Sequence, residues 1–228
     1  MGKLQEDKLV QDLITLARGK SKYSNVWPYN VLYWDGTRFF ADCVNLYKAL
    51  FNGRNIDDRT VGSYQKSLSV TGDVTEWGLL AQCDQISTDF STLGDKFECL
   101  YKDGHFGGYL GKEFYDDWNK GIVNCVESTP LWDNGIQFSY VDARGYRWHH
   151  KGASQNAGRW THHGYPSKFV DYAKPEQPAD PLTVIEIVTK VIKGQFKYKH
   201  NPERKQEIIS IYGEAAYKKA QDILNILF

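Results

Sequence analysis

No stretch of the 228 residues is apolar for the length that a membrane-spanning helix needs. The opening Met1-Gly2-Lys3-Leu4-Gln5-Glu6-Asp7-Lys8 has no apolar export core. A cytoplasmic product without membrane insertion is therefore expected. Gly2 lacks the Ser or Thr that a myristoylation signal needs at the sixth position, which is Glu6. Charge of one sign is also lacking: 28 Lys and Arg balance 28 Asp and Glu. With no clustered basic face, nucleic acid is not expected as a partner. Cysteine is sparse, at positions 43, 83, 99 and 125, with no C-x-x-C pair. That excludes a disulfide framework and a cysteine zinc site. The histidine pairs His149-His150 and His162-His163 come without an H-E-x-x-H spacing. Neighbours on a strand point to opposite faces, so no metal and no cofactor are expected.

Aromatic residues are plentiful, at 14%. Most of them suit a core, and Trp148 with Trp160 suits a groove lining. Leu9, Val10, Leu13, Ile14, Leu16 and Ala17 recur at helical spacing over residues 4–18, ending at Gly19. A second helix is expected to begin at Cys43 and stop at Asn52-Gly53, and a short third over 75–83, with a loop from Asp84. Strands are expected over 97–101, 105–110 and 122–127, the first two joined by a turn at Lys102-Asp103-Gly104. Three prolines between Pro175 and Pro181 mark a stiff linker over residues 173–182. Residues 183–228 then carry three short amphipathic stretches, one opened by Asn201-Pro202-Glu203. They read as a small three-helix bundle, or as a helical tail that holds a homo-oligomer together. The expected domain is residues 1–172, followed by the linker and this bundle.

Cys43 stands at the first turn of its helix, with Leu46, Tyr47, Leu50 and Phe51 on the same apolar face. Free backbone N–H groups and the positive end of the helix dipole favour a thiolate there, while burial favours an inert core thiol. A nucleophile needs a base and an orienting group. His105 opens a strand after a tight turn. Pairing Leu110 with Ile122 in an antiparallel register places Glu127 directly opposite His105, where it can accept an imidazole N–H and leave the other nitrogen for Cys43.

The run Tyr33-Trp34-Asp35-Gly36-Thr37-Arg38-Phe39-Phe40-Ala41-Asp42-Cys43, the strand Gly104-His105-Phe106-Gly107-Gly108-Tyr109-Leu110-Gly111 and Val126-Glu127-Ser128-Thr129 resemble the NlpC-type cysteine peptidases of bacterial cell walls. With Arg159 to Tyr165, the likeness spans roughly residues 20–172 and is closest to phage endolysin versions. It implies an α+β, papain-like fold with N-terminal helices packed on a small antiparallel sheet. It also implies hydrolysis of an amide in peptidoglycan stem peptides, as an endopeptidase or as an N-acetylmuramoyl-L-alanine amidase. Cys43 would attack, His105 would act as base and then acid, and Glu127 would be the third member. Glutamate replaces the histidine of many relatives, as in CHAP amidases. Tyr29, Tyr33, Trp34, Asp42 and Trp160 would line the substrate groove. Thr183 to Phe228 resembles a single cell-wall-binding repeat of the CW-seven type, with Phe196 in place of the usual tryptophan and Arg204 beside it. The implied partner is bacterial peptidoglycan, reached from the host cytoplasm after a holin opens the membrane. A non-catalytic wall-binding module and a thiol-dependent acyl transferase are the alternatives.

Overall fold

The chain divides into two units, Met1–Tyr172 and Ala173–Phe228. The computed structural model describes residues 2–118, 120–149, 156–172 and 217–220. The expected linker and three-helix bundle, with Phe196 and Arg204, lie outside the described residues apart from a helical piece at 217–220. The first unit is mostly β, which corrects the expected papain-like α+β arrangement of helices on a small sheet followed by a helical bundle.

In chain order the elements are β1 (Leu4–Gln5), α1 (Glu6–Arg18), β2 (Ser21–Tyr23), β3 (Tyr33–Trp34), β4 (Phe39–Ala41), α2 (Cys43–Phe51), α3 (Glu76–Leu80) and β5 (Asp84–Ser87). A 3₁₀ turn at Phe90–Thr92 leads into β6 (Phe97–Lys102), β7 (His105–Asp116), β8 (Gly121–Thr129), β9 (Gly135–Val141) and β10 (Tyr146–Trp148). The unit closes with β11 (Asn156–Arg159), β12 (His162–Tyr165) and β13 (Val170–Asp171). Eight strands form one antiparallel sheet in the order β11-β10-β9-β8-β7-β6-β12-β5. A small sheet, β2-β4-β3, stands beside it, and β1 pairs with β13 near the two ends of the unit.

The three strands read from apolar pattern form the middle of this sheet. What the pattern misses is its flanks. Residues from Asp84 form β5 rather than a loop, and β9 to β12 extend the sheet with segments such as Asn156-Ala157-Gly158-Arg159, too short and polar to alternate visibly. Their pairing comes from backbone hydrogen bonds and long-range neighbours, which local pattern does not encode.

Both faces of the central strands are covered, so β7 and β8 are buried almost continuously rather than at alternate residues. On one face pack α1, through Leu9, Leu13 and Leu16, and α2. All nine residues of α2 are buried, and the Tyr47 hydroxyl donates to the Val126 carbonyl at 2.5 Å. The other face carries Leu100, Tyr109, Cys125, Val141 and Trp160, closed by Phe90. Pairing of β7 with β8 shifts between Tyr109 and Phe114. Within that shift Gly111 adopts φ 76° and lies so close to the backbone before β6 that a Cβ would meet the Asp95 oxygen at 2.7 Å. Glycine is required on both counts.

The second face also holds a buried ion pair far along the sheet. His163 Nδ1 meets Glu98 Oε2 at 2.5 Å and its Nε2 meets the Asp89 carbonyl at 3.0 Å. Both partners can accept, an arrangement that favours the protonated ring. Burial opposes that charge. The Glu98 hydrogen bond and charge, with the Asp89 carbonyl and carboxylate, outweigh it and raise the pKa above 6.5. The resulting stability is present in full below the unfolded value near 6.5 and is lost as pH rises through the higher folded pKa. Urea titrations should therefore show a midpoint that falls on the alkaline side of 6.5. In His163→Gln the midpoint should be lower at pH 6 and change less with pH above it.

Candidate functional site

Asp42 makes the start of α2. Its backbone is extended, and its carboxylate accepts the Asn45 N–H at 2.7 Å and the Asn45 side-chain amide at 2.6 Å. This N-cap contributes about 1 kcal/mol to helix stability. It corrects the expectation that Asp42 lines a groove: the side chain is buried and committed to the helix. The cap also places a negative charge beside the next residue, Cys43.

The Cys43 thiol is 4% exposed and donates to Glu76 Oε1, at the first turn of α3, over 3.8 Å. Burial, then the Asp42 and Glu76 charges, push its pKa up to about 12, against hydrogen bonds from the backbone N–H groups of Phe106 and Val44 that favour thiolate. The helix terminus thus does act on the sulfur. Burial and two carboxylates outweigh it, so the resting group is a thiol.

His105 Nε2 and Glu127 Oε2 are 2.7 Å apart. The two side chains meet, though not through the register read from sequence. Tyr109 pairs with Cys125 rather than Val123, and Gly108 with Val126. Continued, this register sets Glu127 opposite Gly107, diagonal to His105. A shift of two residues keeps a side chain on its face, where one residue would have turned it away. Gly107 leaves room for the arrangement, because a Cβ there would lie 2.8 Å from the Trp160 ring. That indole stacks on the imidazole with centroids 5.3 Å apart and planes 15° from parallel.

Glu127 is completely buried and accepts from Arg147 of β10 as well, Nε donating at 2.9 and 2.8 Å to its two oxygens and Nη2 to Oε2. Burial alone would raise the Glu127 pKa. The Arg147 charge and then the His105 hydrogen bond reverse that and hold it at about 2. Glu127 is therefore an anion throughout the physiological range.

The thiol and this pair occupy two sides of β7. Phe106 packs on Tyr47 of α2 at 5.3 Å, on the side of Cys43, whereas His105 and the site of a Gly107 Cβ face Trp160. The expected third link, an imidazole nitrogen bonded to Cys43, is not among the hydrogen bonds of the described residues; the thiol's partner is Glu76. What brings the two groups near is the Phe106 N–H, which belongs to the peptide following His105 and reaches the sulfur. No protein-family model, curated protein or solved structure matches the chain. The resemblance to wall peptidases therefore rests on the short motifs alone.

Of the expected groove residues, Tyr29 and Tyr33 share one aromatic cluster with Phe40, their rings 4.6 Å apart, and Tyr29 is 40% exposed. The segment is tied to the start of α2, since the Asp42 N–H donates to the Asn30 carbonyl at 3.2 Å. Trp34 turns the other way, packed on Phe39 under the Arg59 guanidinium. Trp160 is fully buried and supports His105 rather than forming a groove wall. Among the described residues no three His, Cys, Asp or Glu side chains converge as a metal site would need.

Sequence reasoning missed Arg147 and Glu76. Arg147 lies between two aromatics in Tyr146-Arg147-Trp148, a pattern that carries no reach to β8 without the sheet order. Glu76 follows Thr75, whose hydroxyl caps α3, and an acid at that place is ordinary helix-start composition. Its bond to the thiol has a measurable effect. Iodoacetamide at pH 7 should modify Cys43 more slowly than a free cysteine, and Glu76→Gln should speed the reaction roughly 3- to 10-fold by removing one of the charges that disfavour thiolate. Mass spectrometry of the peptide containing Cys43 reads the rate.

Proposed function

We propose that the chain is a thiol hydrolase that cleaves an amide bond of bacterial cell-wall stem peptides, with Cys43 as nucleophile, His105 as base and then acid, and Glu127 as the group that orients the imidazole. The observation that carries the reading is the buried His105–Glu127 pair, one peptide unit from a thiol at a capped helix start. The choice of substrate rests on the motif order around these three residues.

With Nε2 engaged by Glu127, Nδ1 is the imidazole nitrogen that takes a proton. The reaction does not need a preformed thiolate: as Sγ attacks the carbonyl, its proton passes to Nδ1, and the C–N bond then breaks as Nδ1 returns that proton to the leaving amine. Water, deprotonated by the same nitrogen, next hydrolyses the thioester and restores the thiol. Attack requires the sulfur to leave Glu76 and the imidazole edge to turn around the start of β7. The Tyr29–Tyr33 cluster, exposed at Tyr29 and tied to the same helix start, is the surface this reading assigns to the substrate.

A non-catalytic wall-binding module is the competing reading, favoured by the thiol's high pKa and by its bond to Glu76 rather than His105. Clearing of a suspension of susceptible walls separates the two. The hydrolase reading expects clearing by the unmodified protein, none by Cys43→Ala, and a fall on the order of 10²–10⁴ for His105→Ala. Glu127→Gln should retain measurable activity. Walls bound but not cleared by the unmodified protein, or equal clearing by Cys43→Ala, would overturn it. Free new carboxyl termini in the digest, against amide or ester adducts of the same acyl group, distinguish hydrolysis from acyl transfer by mass spectrometry.

A further inference from the structure

Glu127 has to orient an imidazole without ever taking its proton, and a buried carboxylate on its own is poorly suited to that. Burial favours the neutral acid, and a protonated Glu127 would compete as a donor at Nε2. Arg147 is 2% exposed and spends three of its N–H contacts on the two Glu127 oxygens. Its Nη1 is anchored on the Ala157 carbonyl at 3.2 Å. The guanidinium lies 4.9 Å from the Trp132 ring centroid and 5.4 Å from that of Trp160, the indole that also stacks on His105. Five side chains are thereby held against one another from three strands and two loops.

We infer that Arg147 is a positioning residue for His105: its fork fixes Glu127 as an anion that only accepts, so Nε2 keeps its hydrogen and every proton exchanged with the thiol passes through Nδ1. The inference deepens the hydrolase reading and rests on it for its role in turnover, but its structural claim is separately testable. The guanidinium also balances the Glu127 charge. A lysine supplies the charge without the planar two-oxygen fit.

The test is ¹⁵N-resolved NMR of the His105 imidazole in a Cys43→Ala background, across pH, for Arg147→Met, Arg147→Lys and the double variant Arg147→Met/Glu127→Gln. In Arg147→Met the uncompensated carboxylate should raise proton affinity at His105 by tenfold or more, a shift of at least about one pH unit. Arg147→Lys should titrate near the unsubstituted protein but show a mixed Nε2–H and Nδ1–H population. The double variant removes both buried charges together, so it stays measurable if Arg147→Met does not fold. It should lose the rise while keeping the Nε2–H form, with the oxygen of the introduced side-chain amide as acceptor. With Cys43 restored, the acid limb of wall clearing should move upward in Arg147→Met by the same shift. A pure Nε2–H population in Arg147→Lys, or a His105 titration unchanged in Arg147→Met, would overturn the inference. The predicted NMR changes in a protein that clears no walls would instead uphold the positioning and reject the hydrolase reading.

Discussion

A carboxylate with no access to water lies between β7, β8 and β10, and the central sheet is organised around keeping it charged. Glu127 is 0% exposed, yet burial fails to neutralise it because Arg147 and His105 converge on its oxygens. Such a pair contributes little net stability against an apolar replacement, but the loss of one partner costs about 3–5 kcal/mol. The sheet must therefore bring β10 to within a side chain of β8, across β9, and must leave a glycine at 107 so that Trp160 can cover the imidazole. Strand order, register and one missing Cβ all answer to the same buried charge.

The second face repeats the chemistry for another purpose. Glu98 and His163 form a buried carboxylate–imidazole pair further along the sheet, with both ring nitrogens in hydrogen bonds. The difference between the pairs lies in what holds each carboxylate. Glu127 carries a guanidinium on its oxygens, whereas Glu98 is met by His163 and by the Tyr165 side chain. A carboxylate and a histidine in contact thus occur twice in this sheet, and the guanidinium is what sets the Glu127 pair apart.

Local pattern was enough for the elements whose burial is one-sided or bounded by strong signals. The i, i+3, i+4 stripe of α1, the Cys43 start and the Asn52-Gly53 stop of α2, and the Gly104 turn between β6 and β7 all lie where their residues place them. Beyond these, the expected fold went wrong because β5 and β9 to β12 owe their existence to neighbours distant in sequence. The meeting of His105 with Glu127 was legible only because the true register differs from the simplest one by two residues, an even number that preserves the face. The same parity explains the failed link to Cys43. His105 and Phe106 point to opposite sides, and α2 packs against the side of Phe106.

That parity also defines what catalysis would require of the backbone. The sulfur and the imidazole are separated by the peptide between His105 and Phe106, whose N–H already contacts the sulfur. In the middle of a strand such a barrier would be permanent, since neighbouring strands enclose both sides. His105, however, is the first residue of β7, just after Gly104 at φ 67°, and its partner in β6 is Lys102 at the opposite end of the same tight turn. A side chain there has the turn, and no further rung of the β6–β7 ladder, on one side. The proposed attack therefore asks the imidazole edge to turn while Nε2 keeps its bond to Glu127 and the ring its Trp160 face. Under the proposed mechanism, fixing Glu127 through Arg147 would then serve that turn as well as proton affinity, because a hinge is only as well aimed as the group that anchors it.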